Sequence, residues 1–136
     1  MKTDTLYTSA LGGFISLGAY LIGGVDHLIT ALVIFMACDY ITGILVGWTN
    51  KEVNSKRAFT GLAKKVAMFI MVIIANQLDL IMPNEGISEN LARNAMILFL
   101  VGVEGISLTE NLGKLGIPVP NFISERFKQL NAKGDR

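Results

Sequence analysis

The chain has 136 residues, 51% of them hydrophobic and 17% charged, with a formal net charge of +1 and a single cysteine. One cysteine excludes an internal disulfide and leaves no metal-ligand spacing, and a soluble domain of this length would bury only part of so much apolar surface. The apolar residues fall instead into four blocks separated by short polar stretches, the pattern of an all-α integral membrane protein.

Block one runs from Leu6 to Val25. Lys2 followed by an apolar stretch imitates a secretory leader. Glycines interrupt this stretch, however, and it runs directly into a second apolar segment, so it reads as a retained first span. Small residues crowd it, and Gly12/Ser16 and Ala19/Gly23 form small-xxx-small pairs that let helix backbones approach closely. Only Asp26 and His27 then intervene, a tight hairpin eased by Gly23 and Gly24.

Block two, Leu28 to Trp48, contains the most informative residue, Asp39. The run is long enough to cross a ~30 Å hydrocarbon core as a helix. A carboxylate at that depth costs ~2.5–3.5 kcal/mol even on insertion scales, so it demands a partner, a proton or water. Asp39, Gly43 and Gly47 share one helix face, which places a membrane acid beside a close-packing groove. Cys38 reads as a small packing residue.

The segment from Asn50 to Lys65 reads as a turn and then a new helix with Ser55 as N-cap. Its basic residues Lys51, Lys56, Arg57, Lys64 and Lys65 suit an anionic membrane surface. Block three spans about 62–82 and carries Asn76, Gln77 and Asp79 toward its far end; block four, 94–108, is short for a span and contains Glu104. Ser107 lies one turn from both Glu104 and Glu110, so the three are expected on one side of a helix. After Pro118 and Pro120 comes a short amphipathic helix from about Asn121, with Phe122, Ile123, Phe127 and Leu130 on one face and Glu125, Arg126 and Lys128 opposite. Two places suit it: the cytoplasmic surface or neighbouring subunits.

The expected organisation is a transmembrane bundle over residues 1–113, with about four spans (6–25, 28–48, 62–82, 94–108), and a cytoplasmic tail over 114–136. With four crossings, eleven of the twelve basic residues lie on one side, Arg93 being the exception, while Asp26, Asp79, Glu85 and Glu89 lie opposite. That asymmetry places both termini in the cytoplasm. The rival is a three-span form in which block one or block four lies in the interface.

Catalysis finds no support in the residues. His27 is the one histidine, no nucleophile–base pair is evident, no phosphate-cradling glycine loop follows a strand, and basic residues are not interleaved with aromatics as nucleic-acid binding requires. No cofactor is implied. What remains is intramembrane acid: Asp39 and Glu104, with Ser107, Glu110 and Asn76, as polar glue between helices or as groups that line a water-filled lesion.

Several stretches taken together, Asp39-Tyr-Ile-Thr-Gly43, Asn54-Ser-Lys56, Gly61-Leu-Ala-Lys-Lys65, Glu104-Gly-Ile-Ser107-Leu-Thr-Glu110-Asn111-Leu-Gly113 and Gly116-Ile-Pro118-Val-Pro120, resemble the toxin-secretion/phage-lysis holin family in order and spacing over nearly the whole chain. The resemblance implies a phage or prophage protein that forms homo-oligomers in the bacterial inner membrane. Such proteins open lesions at a set time and let a cell-wall hydrolase (endolysin) or a large toxin leave the cytoplasm. Two other classes fit the residues alone: a small ion channel or transporter subunit using Asp39 and Glu104, and a membrane adaptor recruiting a partner through its basic loop and tail.

Overall fold

The computed structural model describes residues 2–82 and 89–134, and every element among them is helical. Five helices follow in order: α1 (Lys2–Leu21), α2 (His27–Thr49), α3 (Ser55–Ile81), α4 (Leu91–Lys114) and α5 (Asn121–Gly134). Expected Glu85 lies outside the described residues.

Three helices, α2, α3 and α4, are long and apolar enough to cross a membrane. At 1.5 Å per residue, the 27 residues of α3 exceed a ~30 Å core, so its first turns, with Lys56 and Arg57, extend past the apolar part. Of the about four spans expected, three are found among the described residues. Block four, read as short, is a 24-residue helix. Block one forms α1, which is not among the three, because Thr, Ser and Gly dilute its apolar residues.

α4 is the hub, in contact with α2, α3 and α5; α1 touches only α3. Within α1 only Ala19 and Leu21 are even partly buried, while Phe14 is 79% exposed. The core between α2, α3 and α4 consists of Ile29, Leu32, Met36, Val72, Ile97, Leu100 and Val101.

Helix ends follow local chemistry. Asp26 caps α2, its Oδ1 accepting from Ile29 N at 3.0 Å. The N-cap of α3 is Asn54 rather than Ser55: its backbone is extended and its Oδ1 accepts from Lys56 N at 2.8 Å, which leaves Ser55 as the first helical residue. The hairpin between α1 and α2 is longer than two residues, running from Ile22 to Asp26, with Gly23 and Gly24 at φ +78° and +97°. Gly23 therefore lies outside any helix, and Ala19/Gly23 is not a packing pair on a helix face.

Expected on the membrane surface or against another subunit, α5 instead folds back on its own α4. The glycines that permit this are Gly102 and Gly105: a Cβ at Gly102 would stand 2.7 Å from Asn131 N and 2.9 Å from Phe127 O, and one at Gly105 would overlap the Phe127 ring. Phe127 also meets Phe35 edge to face, centroids 5.2 Å apart, and Leu130 packs on the core.

Candidate functional site

Two polar clusters occupy different levels of the bundle. The first is a charge layer inside the spans. Asp39 lies ten residues from the end of α2 at Thr49, Lys65 ten from the start of α3 at Ser55, and Glu104 ten from the end of α4 at Lys114. Because these three helix ends share one side, the three side chains meet at one level, ~15 Å along each helix from that side. Lys65 Nζ donates to Asp39 Oδ2 at 2.9 Å and to Glu104 Oε2. Side-chain exposure is 13% for Lys65, 15% for Asp39 and 3% for Glu104. Asn111 completes the layer, its Nδ2 donating to Asp39 Oδ1 at 3.0 Å.

One ammonium thus faces two carboxylates, with no second cation bonded to either among the described residues. Such a layer is costly in hydrocarbon and is held together by side chains alone, apart from the 3.4 Å contact of Asn111 Nδ2 with the Asp39 carbonyl. Lys65, expected at the membrane surface, is corrected to a buried partner of the acids. The 3.6-residue helical repeat turns it inward while its neighbour Lys64 stays exposed.

α2 and α3 barely touch, and between them a cleft of about 780 Å³ opens toward the charge layer. Asp39, Lys65, Glu104, Ser107 and Asn111 line it, and Lys56, Arg57 and Lys64 stand in its wall. Gly43 and Gly47 also face this cleft. A Cβ at Gly43 would stand 3.6 Å from Asn111 Nδ2 of α4, in ordinary contact, and one at Gly47 would stand 3.9 Å from Glu52 and Val53 of the following turn. Gly12 has nothing within 4 Å, and Ser16 is exposed. Lys51, at φ +55° in the α2–α3 turn, is exposed.

Glu110 does not join Glu104 and Ser107. Six residues at 100° each carry it to a different helix face, where it lines a separate groove with Thr109, Ser124 and Lys128. Asn76 is likewise apart, at the opposite end, where its Nδ2 donates to the Leu21 carbonyl at 3.0 Å.

That end holds the second cluster, centred on Arg93, which is 1% exposed. Its guanidinium donates to Asp26 Oδ2 at 2.7 Å and to the carbonyls of Ile22 at 2.5 Å and Gly24 at 3.0 Å. The carboxylate of Asp79 accepts from Ala92 N at 2.9 Å and Arg93 N at 2.8 Å, capping α4 where Asn90, itself in the left-handed region, makes no side-chain cap. Gly23 is required here: a Cβ would overlap Asn76 Oδ1 and stand 2.8 Å from Arg93 Nε. The hydrogen bond from Arg93 is the chief reason that the Asp26 carboxyl is held below the usual carboxylate range. Partial burial opposes it, and the Ile29 amide adds to it. Reading the sequence alone treats Arg93 only as the exception to the charge asymmetry; that exception is the signal that it has a structural task.

A bundle of three span-length apolar helices with charge buried between them has clear relatives. The chain matches the bacteriophage holin family over residues 16–132, and it belongs to that family. It is 36% identical over 118 residues to the probable holin of Bacillus phage phi105, covering 87% of this chain and 84% of that protein. It is 40% identical over 121 residues to an uncharacterised protein of Listeria monocytogenes, with 89% and 84% covered. An uncharacterised 14.9 kDa protein of Clostridium perfringens, from the nagH 3' region, is 32% identical over 124 residues, with 89% and 92% covered. No solved structure matches the chain.

Proposed function

We propose that copies of this holin-family protein accumulate in the bacterial cytoplasmic membrane, self-associate, and at a set time rearrange into lesions that release an endolysin, or a large toxin, from the cytoplasm. The observation that carries this reading is the layer Asp39–Lys65–Glu104, a charge group placed where lipid cannot solvate it. In the compact state the two carboxylates share one ammonium and one asparagine. Admission of water lowers the free energy of these charges, so growth of an assembly that hydrates the layer favours the open state. Ser107, on the same cleft, meets the water with them. Glu110 and Asn76 take no part in the layer.

The α1 helix supplies the contact between copies. Its apolar residues are almost wholly exposed, and its Gly12 and Ser16 face is unoccupied. Inserted beside a neighbour, α1 becomes a fourth crossing, which sets the N-terminus and the end of α4 on the basic side, facing the cytoplasm. Lys51, Lys56, Arg57 and Lys64 then lie against anionic headgroups. The cell-wall hydrolase needs no direct contact with the chain.

The test is inducible expression in a bacterium, following membrane potential together with release of a folded cytoplasmic reporter enzyme. Abrupt loss of both after a lag is the expected result. Depolarisation with the reporter retained would replace the lesion by a small ion channel. No change in either, with the protein present in the membrane, would sink the reading and favour an adaptor or an antagonist of lysis.

A further inference from the structure

α5 is a charged helix at an unexpected depth. Gly102 meets Asn131 and Gly105 meets Phe127, so α4 and α5 run antiparallel in close contact. Continued along both helices, this register sets Lys128 level with Glu104–Gly105, and Lys133 level with Phe99–Leu100. Leu100 is fourteen residues from the end of α4 at Lys114, or ~21 Å, inside the apolar run of α4 from Ala95 to Val103.

Phe127 and Leu130 point inward, onto α4 and the core. Glu125, Arg126, Lys128, Gln129 and Lys133 point outward and are exposed. The one hydrogen bond among those five side chains joins Arg126 Nη1 to Gln129 Oε1 at 3.3 Å, and none of the four charged residues makes an ion pair among the described residues. Hydrocarbon on this face would leave several charges unsolvated beside the apolar run of α4, and Lys133 is too far from either interface for its stem to carry the ammonium out. With α5 seated on α4, the face needs water.

We infer that the outer face of α5 forms part of the wall of the aqueous lumen in the assembled lesion and biases its conductance toward anions. The inference rests on the lesion-forming reading above and names the surface that meets the permeating solute. Three cations and one anion stand on this face, and rings of Lys and Arg favour anions as rings of Asp and Glu favour cations. The α4 glycines have a role here: they let a polar helix ride close against a span, with Phe127 and Leu130 turned onto it, Phe122 exposed and the charged side free.

The experiment uses the full-length chain in planar bilayers of neutral lipid under a KCl gradient. The wild-type reversal potential is expected on the chloride side, and Arg126→Glu/Lys128→Glu, which alters only exposed side chains, shifts it to the potassium side. In a Cys38→Ser background, Lys128→Cys is expected to lose conductance with a membrane-impermeant cationic thiol reagent, whereas Ile74→Cys, on the lipid-facing side of α3, does not. Conductance with an unchanged reversal potential in the charge-reversed protein and no block at Lys128→Cys would overturn the assignment of α5 while leaving the lesion reading intact. Absence of any conductance from the wild-type chain would overturn both.

Discussion

The Arg93 cluster and the Lys65 layer are built from the same chemistry, one cation facing carboxylates, but they are wired differently. Arg93 donates to backbone carbonyls as well as to Asp26, so it fixes the path of the chain between α1 and α2 against the start of α4. Lys65 bonds only to side chains on two other helices and stands at the closed end of a cleft. One cluster ties connections together and cannot be opened without rearranging backbone. The other joins three helices through groups that water can replace. The account assigns stability to the first and the transition between states to the second.

The largest expected effect is at the first cluster. Arg93→Ala leaves the carbonyls of Ile22 and Gly24 without their donor, at ~1–3 kcal/mol for each buried group left unsatisfied, and takes the ion-pair partner from Asp26. The protein should fail to accumulate, as read by immunoblot of membrane fractions. Arg93→Lys should rescue only partly, because an ammonium cannot fork toward a carboxylate and two carbonyls at once.

At the second cluster, Lys65→Met leaves two carboxylates without their cation. It should move the time of membrane depolarisation when compared at matched amounts of protein in the membrane, since it strands two acids that are 15% and 3% exposed. Unchanged timing at matched amounts would erase the distinction between the clusters.

A smaller effect is expected away from both. Gly105→Leu forces the Phe127 ring out of its notch, so α5 should become open to limited proteolysis while α2–α4 remain in the membrane.

The smallest is a pH effect at Asp26. Its folded carboxyl titrates below its unfolded value of ~3.9. Its contribution is therefore fully present above that value and lost as pH falls through the lower folded one. Melting temperature in detergent should be flat from neutral pH to about 5, and Asp26→Asn should weaken only the acid limb. Because the Asp26 side chain is 47% exposed, solvent screening keeps this small.

Much of this arrangement was legible in the sequence, for physical reasons. Asp39 and Glu104 announce themselves because charge inside an apolar run must be answered, and Lys65 answers it. Which lysine it was depended on helix phase, and Lys64 and Lys65 are separated only by that phase. The register of α5 on α4 was not legible. Gly102 and Gly105 look like many glycines in apolar helices, and nothing local says that a polar helix returns to cover them. The role of Arg93 was hidden too, because its partners are mostly carbonyls, which leave no trace in side-chain patterns. The first block is ambiguous because its length suits a span while its Ser, Thr and Gly content dilutes the apolar signal.

The most direct measurement is the depolarisation time of Asp39→Asn/Lys65→Met/Glu104→Gln, matched to wild type for the amount of protein in the membrane. Neutralising a buried triad together, instead of breaking it, preserves or improves packing. The variant should therefore accumulate normally and hold the membrane potential well past the wild-type time of collapse. Collapse on the wild-type schedule would contradict the account and reduce the charge layer to packing between helices.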